Sequence, residues 1–139
     1  VSKWTKNSIN VLTYKTIGCA IEVHSALGPG LLESIYEKCL IRELSLKNLQ
    51  VKSQVRVPVN YKGLQVEADL RLDLIVEEIL VIEVKAVEAL NPVYTAQVLS
   101  YMKLLQLPKG ILFNFCSSNL FKEGQRTFVN DIFAALPVK

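Results

Sequence analysis

The sequence lacks any apolar run of the roughly 18 to 20 residues that a membrane-spanning helix requires, and its start, VSKWTKNSIN, lacks the apolar core of a secretory signal. A soluble, cytoplasmic protein with no membrane partner is expected. Cysteine is scarce: Cys19, Cys39 and Cys116 lie too far apart for a CxxC metal knuckle, and an odd number is a poor disulfide framework. They read as buried thiols of a reducing compartment. The few glycines are scattered, and Gly28-Pro29-Gly30 has neither the lysine of a phosphate-binding loop nor the spacing of a dinucleotide-binding turn. No serine or cysteine triad, internal repeat or linker can be traced. Charge of one sign is scarce as well. The 16 Lys and Arg against 13 Asp and Glu leave +3, which permits a nucleic-acid partner without arguing for one.

What is present is a globular composition, 50% hydrophobic and 21% charged, over 139 residues, which suits one domain spanning 1–139 with one core. Ile9, Leu12, Ile17, Ala20, Ile21 and Leu27 recur at helical spacing and predict a helix over 7–27, stopped by Gly28-Pro29-Gly30. Leu32, Ile35, Tyr36, Cys39, Leu40 and Leu44 predict a second helix over 31–46, with Asn48 as its C-terminal cap. The period then drops to 2: Val51, Val55, Val57 and Val59 alternate with polar residues as in a half-exposed strand, which Pro58 places near a sheet edge or brings to its end. Tyr61-Lys62-Gly63 turns into a short partner strand around 64–67.

From Leu70 to Val87 two apolar runs flank Glu77-Glu78, which predicts a central hairpin buried on both faces. Asn91-Pro92 opens a third helix with Val93, Ala96, Leu99, Leu104 and Leu105 as its apolar members, ended by Pro108. Residues 110–116 read as a strand, 125–129 as its partner after the Lys122-Glu123-Gly124 turn, and 130–139 as holding a short helix. The expected class is α/β or α+β around a mixed sheet.

Alternation puts Glu83 and Lys85 on one face of VIEVKAV, in a strand that is otherwise apolar. Burying both charges costs several kcal/mol per ion, and pairing often fails to recover it, so stability alone gives little reason for them. Asp73 interrupts the preceding apolar run in the same way. A turn centred on Glu77-Glu78 sets Asp73 opposite Ile82, one residue from Glu83, and a bulge or a slightly different turn would correct the face. Two carboxylates beside a lysine are what metal-assisted phosphodiester hydrolysis requires. Mg²⁺ takes one or two carboxylates plus substrate phosphate, and a lysine can hold the attacking water or stabilise the transition state. An i, i+2 ion pair at a strand end is the competing reading.

Gly30-Leu31-Leu32-Glu33-Ser34-Ile35-Tyr36 resembles the signature of the GxxExxY protein family, a branch of the PD-(D/E)XK nuclease superfamily, and RLDLIVEEILVIEVKAVEAL resembles its Asp and Glu-x-Lys segment. The resemblance runs from about Ile21 to Phe115. It implies a restriction-endonuclease-like core of helix, three strands, helix and strand, here with an extra N-terminal helix. It also implies Asp73, Glu83 and Lys85 as catalytic residues. Metal ligands would be Asp73, Glu83, the Val84 backbone carbonyl and Glu33, with Mg²⁺ or Mn²⁺ as cofactor. Leu72 stands where the superfamily's name has proline, which many members lack.

Gln97 and Tyr101 form Q-x-x-x-Y, similar to a motif of the RecB-like nuclease branch that contacts DNA beside the metal. His24 falls on the apolar face of the first helix with Ile17, Ala20 and Ile21, and RecB-like enzymes can use a helix histidine as a metal ligand, which makes it a further candidate. Each has a plainer reading: a helix-dipole glutamate for Glu33, an ordinary amphipathic helix for Gln97 and Tyr101, a buried hydrogen-bonded histidine for His24. The expected function is a metal-dependent nuclease acting on nucleic acid, most simply DNA, through its backbone. The alternatives are an inactive module of that fold binding nucleic acid or a protein, and a structural domain with a buried ion pair. A homodimer gripping a duplex is an expectation by analogy with other small nucleases.

Overall fold

The computed structural model describes residues 3–139; Val1 and Ser2, the first of the segment read above for a secretory signal, lie outside the described residues. Helix α1, Lys6–Leu27, begins at Thr5, where the Thr5 hydroxyl accepts from the Ser8 N–H at 3.0 Å and the Ser8 hydroxyl accepts from the Thr5 N–H at 2.9 Å. This reciprocal cap satisfies two donors that the first turn leaves open. The helix stops at Gly28, whose φ of 67° suits glycine. Helix α2, Glu33–Leu46, follows and packs on α1.

Strand β1 covers Val51–Arg56 and ends before Val57-Pro58, the second of the two readings of Pro58, and β2, Val59–Tyr61, and β3, Leu64–Val66, form their own two-stranded sheet. Lys62 and Gly63 between them have φ of 47° and 84°, the primed-turn conformation that matches strand twist. The central hairpin is β4, Arg71–Val76, and β5, Leu80–Lys85. Helix α3, Pro92–Leu105, starts at Asn91, whose side chain accepts from the Val93 N–H at 3.0 Å, with Pro92 in the first turn. Strands β6, Lys109–Asn114, and β7, Gln125–Val129, then lead to the short helix α4, Asp131–Ala134.

The main sheet runs β1-β4-β5-β6-β7 and is mixed, with β5 and β6 parallel and the other neighbours antiparallel. A parallel pair needs a long crossover, which α3 provides. The order α2, β1, β4, β5, α3, β6 is therefore the expected helix, three strands, helix and strand, with α1 as the extra helix and β2–β3 as an insertion. Alternation divides the core. Leu74, Val76, Leu80, Ile82, Val84, Ile111 and Phe113 face α1 and α2, while Ile75, Val81 and Leu112 face Val98, Tyr101 and Met102 of α3. Among the described residues no helix is long and apolar enough to cross a membrane. The cysteines are free, Cys19 buried and Cys39 and Cys116 half-buried, rather than all buried as expected.

The buried face of α3 differs from the expected one: Val93, Ala96, Leu99 and Leu104 are exposed, and Val98, Tyr101 and Met102 are buried. Gly110 on β6 accounts for this. A Cβ there would lie 2.7 Å from Val98 Cγ1 and 2.8 Å from Met102 Sδ, so the bare backbone is what admits these two side chains. Gly110→Ala is expected to cost about 1–3 kcal/mol, as overpacking does, read as a lower urea midpoint with unchanged m-value.

Candidate active site

The β4–β5 turn holds three residues, Glu77 to Ile79, and not a two-residue centre. Glu77 and Glu78 adopt φ of 53° and 58°, which costs L-residues about 1–2 kcal/mol each. They are held there by the Glu77 N–H donating to Gln50 O at 2.8 Å, the Gln50 N–H donating to Glu77 Oε2 at 2.6 Å, and a 2.7 Å Lys52–Glu78 ion pair. The longer turn shifts the register by one. Leu74, not Asp73, lies opposite Ile82, and Asp73 comes level with Glu83 without any bulge in β5.

Beyond the Leu74–Ile82 pair the two carboxylates take over from the backbone ladder. Glu83 Oε1 accepts from the Asp73 N–H at 2.9 Å, and Asp73 Oδ2 accepts from the Val84 N–H at 2.7 Å. Both carboxyl groups thus lie in the seam between β4 and β5, each aimed by the other's strand. Lys85 Nζ stands 3.7 Å from Glu83 Oε2, too long for a good hydrogen bond but close enough for charge attraction. Burial, and next the Asp73 charge, push the Glu83 carboxyl up to about 7, against the pull of the Asp73 N–H and Lys85. Burial likewise raises Asp73, opposed by the Val84 N–H, Lys85 and Gln54. One lysine therefore does not compensate the two acids, and the seam holds surplus negative charge once both ionise.

Helix α2 supplies further acids from the side. Glu33 Oε2 accepts from the Ala86 N–H at 3.2 Å, just past the end of β5. Its neighbour Tyr36 is fully buried, stacks on Phe115 with ring centres 4.6 Å apart, donates to Gly28 O at 2.5 Å and accepts from the Leu31 N–H at 3.1 Å. In the run from Gly30 to Tyr36, the tyrosine pins the loop that starts α2 while the glutamate reaches the strand end. Glu37, one turn on, is bound through the Gln54 side chain to Asp73, at 2.9 Å to Glu37 Oε1 and 3.4 Å to Asp73 Oδ1. Burial, with Asp73 and Glu33 adding, raises the Glu37 carboxyl.

Helix α3 closes the other side. The Tyr94 ring lies under Lys85 Nζ at 4.6 Å from its centre, a cation–π contact. Tyr101 is buried, and burial first, then the Glu83 and Asp73 charges, push its phenol up, which marks it as within electrostatic reach of the seam. Gln97 is half-buried on the same side of α3. His24 is engaged elsewhere, its Nε2 2.8 Å from Ser117 O and its ring tilted against Phe115.

Asp73, Glu83 and Lys85 are thus in direct contact, Glu33 and Tyr101 flank them, and His24 forms its hydrogen bond with a backbone carbonyl instead of a site carboxylate. Sequence reading missed Glu37, Gln54 and Tyr94. The signals were there: Glu37 is four residues after Glu33, and Tyr94 three before Gln97, each on the same helix face. Gln54 carried none, since its importance comes from a backbone angle.

Among the described residues no three His, Cys, Asp or Glu side chains converge as a ready-made cation cage. The seam nevertheless fits Mg²⁺ or Mn²⁺ in its chemistry, because it offers two hard carboxylates in surplus over positive charge, and Mg²⁺ takes only one or two from a protein. The model of the PD-(D/E)XK nuclease superfamily matches residues 10–127, a stretch from α1 to β7 that contains every one of these side chains. No curated protein and no solved structure matches the chain.

Proposed function

The chain belongs to the PD-(D/E)XK nuclease superfamily, and on that footing we propose that it is a metal-dependent nuclease that hydrolyses phosphodiester bonds, with DNA as substrate and Mg²⁺ or Mn²⁺ as cofactor. The observation that carries the reading is the pair of facing carboxylates in the β4–β5 seam with Lys85 beside them. A folded protein gains little from such a group: Glu83 is buried in a site that raises it to about 7, and its ion pair is long. The run from Gly30 to Tyr36 and the Gln97–Tyr101 pair support assignment to the GxxExxY and RecB-like branches.

Asp73 and Glu83 would hold the cation, with the Val84 carbonyl and Glu33 as further oxygen donors, and His24 would serve as a fifth residue only by leaving its bond to the Ser117 carbonyl. When bound, the cation supplies positive charge against the phosphoryl oxygens and acidity toward water. Lys85 presents a fixed ammonium to the phosphoryl group, oriented by the Tyr94 ring on one side and Glu83 on the other. Gln97 and Tyr101 offer an amide and a phenol to the sugar-phosphate backbone beside the site, which positions substrate without reading sequence. A cytoplasmic location and a homodimer spanning a duplex belong to the same reading.

The test is cleavage of end-labelled single- and double-stranded DNA with Mg²⁺ or Mn²⁺ by the native protein, Glu83→Ala and Lys85→Ala. Metal-dependent cleavage that both variants lose is expected. If the native protein cuts nothing, or the variants cut equally well, a binding module of nuclease fold becomes the better account.

A further inference from the structure

Gln54 stands in the middle of β1 with φ of 51°, in the left-handed region, and it drops out of an otherwise regular ladder in which Ser53 faces Leu74 and Val55 faces Leu72. The interruption falls opposite Asp73. Around the same point the strands change sides: Val51, Leu74 and Val76 pack with the α1 and α2 core, whereas Val55 and Leu72, of the same parity, pack with the α3 core. A glutamine has no preference for that backbone angle, and glycine or asparagine would take it more easily. What the strained backbone achieves is the aim of the carboxamide, whose Nε2 donates to Glu37 Oε1 at 2.9 Å and to Asp73 Oδ1 at 3.4 Å.

We propose that Gln54 is a positioning residue that ties Asp73 to Glu37 of α2 and so holds the Asp73 carboxylate in the geometry that binds the cation. The side-chain chemistry is selective. Carboxylates only accept, so the two acids fix the amide with its NH₂ toward them, and that NH₂ has one proton for each. An amide tethers Asp73 without cancelling its charge, which a lysine or arginine at this position would do. Asp73 Oδ2 is already bound to the Val84 N–H, so the contact through Oδ1 sets the remaining rotation of the carboxyl plane. Glu37 then acts as the anchor on the helix, one turn beyond Glu33.

This inference rests on the metal-site reading above, and Mn²⁺ alone serves as the probe. Mn²⁺ affinity is measured by electron paramagnetic resonance of the free ion for the native protein, Gln54→Ala, Gln54→Gly, Glu37→Ala and the Gln54→Ala/Glu37→Ala double variant, with thermal unfolding alongside. Gln54→Gly removes the side chain and relieves the backbone, so it is expected to unfold no earlier than native while losing about tenfold to a hundredfold in Mn²⁺ affinity, the usual cost of removing a group that orients a ligand. The double variant is expected to lose little more than Gln54→Ala, since the two residues act as one tether. Native-like affinity in Gln54→Gly, or fully additive losses in the double variant, overturns the proposal while leaving the metal site standing. A native protein that binds no Mn²⁺ overturns both.

Discussion

Glu83→Gln is expected to abolish metal-dependent cleavage and, at pH 8, to make the protein more stable by about 2 kcal/mol. The carboxyl rises from its ordinary 4.5 to about 7 in the folded chain. Between those values the native protein keeps a proton that the unfolded chain has released, so raising the pH through this window withdraws stability, and the loss is complete above 7. At 1.36 kcal/mol per unit the window amounts to about 3 kcal/mol with the pull of Lys85 already counted in it, and the variant gives back part of this gain because its amide NH₂ takes the place of Oε2 beside the Lys85 ammonium. Asp73, also raised by burial, adds to the loss in the same direction.

Glutamine keeps a carbonyl oxygen to accept from the Asp73 N–H and has no charge to bury, so its variant lacks this contribution to the pH slope. Urea midpoints at pH 5 and pH 8 should therefore fall with pH for the native protein and change much less for the variant. Adding Mn²⁺ should restore stability to the native protein alone, because only its folded state binds the ion. A variant less stable than native at pH 8 would mean that Glu83 serves mainly as the partner of Lys85, and the structural reading of the pair would win.

Replacing Lys85 by Met should separate binding from chemistry. The Lys85 side chain is 17% exposed, its ammonium between Glu83 and the Tyr94 ring, so its removal takes away a positive charge that competes with a cation for the same carboxylate. Mn²⁺ affinity should hold or rise, while kcat falls about a hundred- to a thousandfold, the loss typical of removing one transition-state donor. Arginine should not rescue it, since a planar guanidinium cannot occupy the point position that the ring and Glu83 define. Cleavage by Lys85→Met at the native rate would remove Lys85 from the mechanism and leave it a counter-charge only.

The grouping of these side chains was legible in the sequence where chemistry and local period coincide. Glu83 and Lys85 share a face because strands alternate, and an apolar run interrupted by an acid identifies Asp73 as exceptional. The register was not legible. The distance between Asp73 and Glu83 depends on whether the turn has two residues or three, and that follows from Glu77 and Glu78 taking positive φ, stabilised by Gln50, just before β1, and Lys52 within it. No periodicity carries this information.

The same division holds through the molecule. By itself the sequence determined the helices, the central hairpin, the break at Pro58 and the pairing of Glu83 with Lys85 on one strand face, because capping, alternation and turn preference act over a few residues. Only the tertiary structure decided which face of α3 is buried, through the bare Gly110. It also decided that β1 lies beside β4, which brings Gln54 to Asp73 and Glu37, and that Tyr94 lies beneath Lys85. These contacts join residues far apart in the chain, and their energy comes from burial and charge pairing that exist only after the sheet has formed between its helices.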